Sequence, residues 1–204
     1  MTNSDTARPD RYKALDAAAS YDDTIRNAGL FRRWSHHKEL QALQRALSRI
    51  HGTSILDGPC GTGRIHEVLA QQFTEVASMD SSESMLRVHQ RNSGSGVLCC
   101  GNIFDLPFAD ASFDWVVCYR LFHHMQNHEQ RVALLKSVRR VGRQGVIFSA
   151  WIDTPVNRRR GSRRRSLTRK EIEAICTEAG LKITHIDFAS WPFQPKCVVT
   201  CDKL

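Results

Sequence analysis

A glycine-rich turn between a short apolar stretch and a helical pattern is the first segment that could bind a ligand. It reads ILDGPCGTGR over residues 55–64. Glycines at such a turn let a ligand approach the backbone closely and leave N–H groups free at a helix start. An ordinary strand-to-helix turn has the same composition. A dinucleotide-binding turn would carry a further glycine where this chain has His66, so the pattern does not favour NAD.

Two acidic residues end the apolar stretches on either side of this turn. Asp57 ends the first stretch, where a carboxylate would repel a phosphate and attract an amine or a sulfonium. Asp80 ends the next, nineteen residues after Gly61, at a position where a carboxylate can accept both hydroxyls of a ribose. Asp80 could instead stabilise the start of the helix near Ser82. Together with the turn, the two acids favour an adenosyl ligand.

Strand and helix patterns alternate along most of the chain, which predicts an α/β fold with a mainly parallel sheet covered on both faces. The predicted strands are 53–57, 75–80, 96–100, 113–119, 145–151, 181–187 and 196–200. The predicted helices are 12–47, 62–72, 82–91, 127–139 and one from a capping box at Thr168–Glu171 to Gly180. About eight residues separate the last two strands, too few for a parallel crossover, so we expect them to pair antiparallel.

Length and composition limit the class of protein. The 204 residues, 41% hydrophobic and 25% charged, fit a single domain at 12–204 preceded by a disordered tail at 1–11. No apolar run could span a membrane, and no secretory signal is visible. The seven cysteines then indicate reduced thiols in a cytoplasmic protein. The histidines and cysteines lack ligand spacing, so we expect no metal site.

The positive charge of the chain lies in one segment. Residues 158–170 carry eight Arg or Lys side chains and no acid, and the net charge of the whole chain is +8. The rest of the chain is therefore neutral. The densest part is a basic loop at 157–167, which is either a solvated loop or a clamp for carboxylate or phosphate groups. The predicted clamp consists of Arg158, Arg159, Arg160, Arg163, Arg164 and Arg165.

Four segments in this order resemble the class I S-adenosylmethionine-dependent methyltransferases of the small ubiquinone-biosynthesis-like type. They are ILDGPCGTGR, VASMDSSESML, GNIFDLPFADASFDWVVCYRLFHHM and LLKSVRRVGRQGVIFSAW. The resemblance covers about residues 50–200 and implies a Rossmann-like, doubly wound, seven-stranded sheet that is mostly parallel, with an antiparallel last strand. It also implies that the N-terminal helices, at 12–48, form a lid over the site.

The resemblance further implies S-adenosyl-L-methionine as cofactor and a set of residues that bind it. Asp57 would lie near the methionine amino group, Asp80 would hold the ribose diol, and Asn102 would lie near the exocyclic amine of adenine. The predicted cofactor-binding residues are Tyr21, Asp57, Gly58, Gly61, Gly63, Asp80, Ser81, Met85, Asn102, Ile103, Tyr119 and Arg120. Pro59 departs from the family, which usually has glycine there, and Gly142–Gly145 replaces the usual turn before the fifth strand.

The acceptor is less defined. His123 and His124 follow the fourth strand and are the candidate catalytic bases, although either could simply pack locally. We expect a small-molecule or lipid acceptor, anionic because of the basic loop, with peripheral contact with an anionic membrane surface as a further possibility. Trp151 and Trp191 flank the loop in sequence and either line the acceptor pocket or pack in the core. An RNA methyltransferase that grips phosphates with the loop is the alternative, and a non-catalytic cofactor-binding subunit is a third reading. The neutral body favours the small acceptor over RNA.

Overall fold

The computed structural model describes residues 29–93, 96–154, 166–190 and 195–204, without the side chains of residues 31 and 32. The helices are α1 (Leu30–Leu47), α2 (His66–Ala70), α3 (Glu83–Ser93), α4 (His128–Val141) and α5 (Arg169–Glu178). The strands are β1 (Ser54–Asp57), β2 (Glu75–Asp80), β3 (Val97–Cys100), β4 (Phe113–Cys118), β5 (Gly142–Trp151), β6 (Leu181–Phe188) and β7 (Lys196–Lys203).

The strands form one seven-stranded sheet in the order β3-β2-β1-β4-β5-β7-β6. Strands β3, β2, β1, β4 and β5 run parallel to one another, and β7 is antiparallel to both β5 and β6. The predicted α/β fold with an antiparallel last strand is confirmed. The strand order reverses direction between β1 and β4, so the carboxyl ends of these strands border a crevice suited to a ligand.

Two apolar layers cover the sheet. On one face, α4 and α5 pack against the sheet through residues such as Leu134 and Ile172, which are fully buried. On the other face, α1 buries Ala42, Leu43, Ala46 and Leu47, spaced as one helical stripe. Helix α1 therefore lies across the sheet beside β6 and β7.

Local sequence rules fix several helix ends as predicted. Thr168 accepts from the backbone N–H of Glu171, whose side chain accepts in turn from Thr168, which completes the capping box of α5. Gly180 follows this helix with φ +74°. At α4, Asn127 caps the backbone N–H of Gln130 at 2.9 Å. The Gln130 side chain instead accepts from the N–H of Gln126, so only half of a capping box forms there.

Several predicted boundaries are wrong. The predicted helix at 12–47 is not continuous, because Gly29 is the N-cap of α1, which begins at Leu30. Helix α2 begins at His66 rather than at residue 62, because residues 61–65 form the turn itself. Gly142–Gly145 is not a turn before the fifth strand: α4 ends at Val141 and β5 starts at Gly142. The irregularity appears as a bulge, since the β4 partners of Gly142 and Gly145 are only two residues apart.

All seven cysteines lie in the described residues and are free thiols. Among the described residues, no helix is both long and apolar enough to cross a membrane. The predicted tail at 1–11, the part of the predicted lid before residue 29, and residues 157–165 of the predicted basic loop lie outside the described residues.

Candidate cofactor and acceptor site

Asp57 is the last residue of β1, at the centre of the sheet. Its side chain is fully buried, and neither carboxylate oxygen has a hydrogen-bond partner among the described residues. Burial raises the pKa of Asp57 well above its ordinary value, and the nearby carboxylate of Asp80 raises it further. A buried carboxylate without partners is costly, so this position suits a ligand group that brings donors and positive charge.

Asp80 ends the neighbouring strand β2 and joins the turn to α3. Its carboxylate accepts from the backbone N–H of Gly61 at 2.9 Å and from that of Ser82 at 2.9 Å. Burial raises the pKa of Asp80, and these N–H donors act in the opposite direction. The contact with Ser82 fits the alternative role at the start of a helix. A carboxylate has about four lone-pair sites, which leaves capacity for a ribose diol.

The two glycines of the turn have different structural reasons. Gly61 has φ +54°, and a Cβ atom there would meet nothing within 4 Å, so a ligand can lie against this backbone. Gly63 has φ +81°, and a Cβ there would lie 2.3 Å from the His89 ring. The prediction that both glycines admit a ligand is therefore supported by geometry only at Gly61, because His89 occupies the space beside Gly63.

Buried histidines support the turn from behind. His66, at the position of the missing third glycine, meets His89 edge to face at 5.1 Å between ring centroids. The Nδ1 atom of His89 lies 3.3 Å from the Cys60 sulfur. Burial lowers the pKa of His89 to about 4, and the neighbouring His66 lowers it too. This cluster is neutral near pH 7, so it adds no positive charge behind the turn.

Pro59 does not disturb the turn, although it lacks an N–H. On one side of it, Gly58 donates to the carbonyl of Val117 at 3.0 Å, and on the other Cys60 donates to that of Met79 at 2.9 Å. The backbone donors that flank Pro59 therefore tie the turn to β4 and β2.

The residues predicted to border the adenosine lie at the same edge as Asp80. The N–H of Gly101 donates to the Asp80 carbonyl at 3.1 Å and so fixes the chain just before Asn102. Asn102 is exposed, and its amide oxygen accepts from the N–H of Phe104 at 3.0 Å. Met85 and Ile103 are buried and Ser81 is exposed. The roles of these four residues toward adenine stay predictions.

A cleft with about 340 Å³ of empty space lies past the carboxyl end of β4, between α1 and the ends of β5 and β7. Its charged and aromatic wall is built from residues far apart in sequence. The lining residues are Glu39, Ala42, Tyr119, Arg120, His123, Ser149, Trp151, Ala189, Lys196, Cys197 and Val198.

Tyr119 and Arg120 follow β4 directly and line this cleft rather than the glycine-rich turn. The Tyr119 hydroxyl is buried without a hydrogen-bond partner among the described residues. Burial raises the pKa of Tyr119, and the Glu39 carboxylate raises it further. Arg120 has φ +63°, and its backbone N–H donates to the Ser149 hydroxyl at 2.6 Å. The predicted cofactor role of both residues stays a prediction.

The two candidate bases lie in a 3-10 turn at Phe122–His124. His123 stacks on Trp151, with 4.5 Å between centroids and 10° between ring planes, and both residues line the cleft. The His124 ring lies 4.2 Å from that of His123 and is exposed. His123 and Trp151 therefore both border the cleft in which an acceptor would bind. The role of Trp151 toward the acceptor stays a prediction. The catalytic role of either histidine stays a prediction.

Sequence reasoning missed an ion pair across the cleft. The Lys196 ammonium, at the start of β7, pairs with the carboxylate of Glu39 on α1 and donates to the Ser35 hydroxyl at 3.0 Å. Glu39 is 8% exposed. The two residues are 157 positions apart, and neither belongs to a local motif. A Glu on the apolar stripe of α1 was the only sequence signal.

Some predicted site residues lie outside the described residues. They are Tyr21, Trp191, Arg158, Arg159, Arg160, Arg163, Arg164 and Arg165. Among the residues that are described, no group of three or more His, Cys, Asp or Glu side chains could hold a metal ion.

A family model described as a methyltransferase domain matches residues 56–150, from β1 to the end of β5. This range contains nearly all of the glycine-rich turn, the acids Asp57 and Asp80 that end β1 and β2, and the histidine pair. This part of the chain is similar to a methyltransferase domain. The resemblance inferred from the sequence is confirmed.

Several methyltransferases are similar to the chain. A demethylmenaquinone methyltransferase of Renibacterium salmoninarum is 30% identical over 144 residues, which are 69% of this chain and 59% of that protein. The "Probable tRNA methyltransferase 9B" of Mus musculus is 32% identical over 111 residues, 53% of this chain and 24% of that protein. The chain therefore spans less than two thirds of the length of these relatives.

A solved methyltransferase structure shares the fold of the chain over nearly its whole length. Magnesium protoporphyrin IX methyltransferase from Synechocystis, with bound S-adenosylhomocysteine, superposes with a TM-score of 0.78 at 17% identity. The match covers 96% of this chain and 98% of the other. At this identity the likeness establishes the Rossmann-like methyltransferase fold and leaves the acceptor open.

Proposed function

We propose that the chain is an S-adenosylmethionine-dependent methyltransferase that acts on a small anionic molecule. The observation that carries the proposal is the pairing of two unlike sites at one sheet edge. Beside β1 and β2 lie two buried acids and an open glycine turn, and past β4 lies a small cleft with cations in its wall. A positively charged methyl donor and a negatively charged acceptor fit these two sites respectively.

The residues present fit the cofactor. The partnerless carboxylate of Asp57 would attract its amino group, Asp80 has spare lone pairs for its ribose, and Gly61 offers open backbone. The cofactor supplies an activated methyl group on a sulfonium. Gly58, Ser81, Met85, Asn102 and Ile103 would complete the site, with Gly63 shaping the turn from behind.

The task of the protein is then alignment and the exclusion of water. Helix α1 covers the cleft from one side, and Tyr119, whose hydroxyl is buried without a hydrogen-bond partner among the described residues, is part of its wall. His123 borders the cleft and can take the proton from an amine or hydroxyl acceptor. Its stacking on Trp151 fixes the plane of the imidazole ring.

The charge of the cleft supports a small acidic acceptor. Arg120 and Lys196 line it, and Glu39 is the one acid among its lining residues. The basic loop predicted from sequence follows β5, whose last residue, Trp151, is part of the cleft wall, and would add cations for the same acceptor.

Radiolabelled methyl transfer tests this proposal. The protein is incubated with methyl-labelled S-adenosylmethionine and a fractionated extract of cells that lack it, with Asp80→Ala as the inactive control. We expect label in a ribonuclease-resistant small-molecule fraction that an anion exchanger retains. Label in the lipid fraction would identify a lipid acceptor and leave the transferase activity standing.

The mouse tRNA methyltransferase relative favours RNA as the second candidate acceptor. Ribonuclease-sensitive label would establish it and overturn the small-molecule acceptor. Absence of label from every fraction, with cofactor still bound, would favour the third reading, a cofactor-binding subunit without catalysis.

A further inference from the structure

Arg120 stands in an unusual backbone conformation at the mouth of β4. Its φ of +63° is a left-handed value that non-glycine residues adopt at a cost. The Ser149 hydroxyl accepts its backbone N–H at 2.6 Å and holds this conformation. Ser149 belongs to β5, the strand beside β4, so the arrangement is anchored in the sheet. Strain of this kind clusters at ligand sites.

The Arg120 side chain lies at the cleft and does not hold the fold together through polar contacts with other described residues. Arg120 lines the cleft, and among the described residues its guanidinium has no hydrogen bond or ion pair. Other arginines of the sheet region are used structurally: Arg140 donates to the carbonyls of Leu106 and Phe108, and Arg143 pairs with Asp114. Arg120 therefore differs from them, because the N–H donors of its guanidinium are available to bind a ligand.

Lys196 faces the same space from β7. Two of its three ammonium donors go to Glu39 and Ser35, which leaves one donor. Burial lowers the pKa of His36 on α1, and the charges of Arg64, Arg120 and Lys196 lower it further against the opposing effect of Glu39. Arg120 and Lys196 thus converge on one region beneath α1.

We propose that Arg120, assisted by Lys196, binds the carboxylate or phosphate group of the methyl acceptor, and that Ser149 is the positioning residue for Arg120. The inference rests on the proposed methyltransferase function and defines its substrate class. Arginine suits the task because its planar fork matches both oxyanions. The aromatic wall of His123 and Trp151 favours an acceptor whose acidic group is carried by a ring.

The same chemistry exists in the carboxylate of the cofactor, which is the role that sequence resemblance implied for Arg120. Position favours the acceptor. Arg120 lines the cleft with Lys196, whereas Asp57, Gly61 and Asp80 are not among the residues that line it. Neither Asp57 nor Asp80 has its pKa lowered by Arg120.

Two binding measurements distinguish an anionic group of the acceptor from the carboxylate of the cofactor. Calorimetry gives the affinity for S-adenosylhomocysteine, and titration of the saturated protein with benzoic and heteroaromatic acids, aryl phosphates and the matching carboxamides or alcohols gives the preference for an anion. We compare the wild type with Arg120→Gln, Arg120→Lys, Ser149→Ala and Ser149→Thr. Arg91→Gln, an exposed site in the last turn of α3, is the charge-matched control.

We expect the best acids to bind more tightly than their uncharged analogues. Arg120→Gln should weaken acid binding about 10- to 100-fold, the size expected for a charge-assisted hydrogen bond, with unchanged affinity for S-adenosylhomocysteine. Arg120→Lys should give an intermediate loss. Ser149→Ala should weaken acids and not their analogues, and Ser149→Thr should retain acid binding because it keeps the hydroxyl.

Other results would overturn the inference. If Arg120→Gln weakens the binding of S-adenosylhomocysteine and not that of the acids, the anion that Arg120 binds is the cofactor carboxylate. If no acid binds better than its uncharged analogue, the cleft does not select an anion. Failure of the wild type to bind S-adenosylhomocysteine would instead remove the proposed function itself. Cofactor affinity in each variant also reports that the fold is intact.

Discussion

The two halves of the carboxyl edge of the sheet carry opposite charge. The β1–β2 half presents Asp57 and Asp80, both buried, and the histidines behind its turn stay neutral. The β4–β5–β7 half presents Arg120 and Lys196, and Glu39 is the one acidic residue among the described residues that line its cleft. A cationic cofactor and an anionic acceptor would each find an opposite charge, and would meet where β1 and β4 run side by side.

The halves also differ in how their charges are held. Asp57 has no partner at all among the described residues, so its half depends on a ligand for compensation. In the other half, Lys196 has an internal partner in Glu39, and the guanidinium of Arg120, unpaired within the part of the chain that the structure describes, belongs to a residue that is only half-buried. This difference suggests that cofactor binding changes the electrostatics of the site more than acceptor binding does.

The largest effect is expected from Asp80→Ala. The change removes the predicted acceptor of the ribose diol and the anchor of the Gly61 and Ser82 N–H groups. Because hydrogen bonds to a charged group are lost, the affinity for S-adenosylhomocysteine, measured by calorimetry, should fall at least about 100-fold. Asp110→Ala, which removes an exposed acid on a surface pair with Arg140, is the control and should change nothing. Equal affinity in both variants would refute the role of Asp80.

Gly63→Ala tests whether the acidic half needs its support. A Cβ here would lie 2.3 Å from the His89 ring on a backbone with φ +81°. We expect a loss of about 2–5 kcal/mol in the free energy of unfolding, from backbone strain and overpacking together. Adding His89→Ala should recover the overpacking part. Denaturant titration of the single and double variants measures both, and no recovery would mean that His89 does not fill this space.

His89 should make stability depend on pH. Its pKa is about 4 in the folded protein and near 6.5 when unfolded, so the unfolded chain binds more protons between these values. The stabilisation is complete above about pH 6.5 and is lost as the pH falls toward 4, up to about 3 kcal/mol. His66 acts in the same direction, while the raised pKa values of Asp57 and Asp80 oppose it.

Comparison with a variant isolates this contribution, because the two acids are common to both proteins. Urea unfolding from pH 7 to pH 4.5 should show a shallower loss of stability for His89→Leu than for the wild type. Parallel curves would show that His89 does not remain neutral in the fold.

Glu39→Gln should give the smallest effect and sharpens the contrast between the halves. It removes the one acid of the cleft lining and releases Lys196 from its pair. Aromatic acids should then bind on the order of tenfold more tightly, while the melting temperature falls because α1 loses a buried contact. Glu67→Gln, exposed on α2, is the control. Weaker binding of acids would show that Glu39 itself contacts the acceptor.

The acidic half could be predicted from sequence because its parts are local. A strand, a glycine turn and a helix follow each other in the chain, and both acids end strands whose register is set by apolar runs. The cleft could not be predicted in this way. Glu39 and Lys196 meet only because β7 lies between β5 and β6 beneath α1, and the left-handed backbone of Arg120 depends on Ser149 in another strand.

Local patterns were also misleading where a neighbour from elsewhere decided the outcome. Gly63 is explained by a histidine on α3 rather than by a ligand. Gly145 lies within β5 rather than in a turn, and it must be glycine because a Cβ there would lie 2.1 Å from the Cys201 carbonyl oxygen of β7. Neither contact can be read from the residues beside these glycines in the chain.

A crystal structure of the protein with S-adenosylhomocysteine tests the division of the sheet edge most directly. The account predicts the amino group near Asp57, the ribose hydroxyls on Asp80, the sulfur facing the cleft past β4, and an Arg120 guanidinium that does not touch the cofactor. A cofactor carboxylate bound by Arg120, or a ribose held away from Asp80, would contradict it.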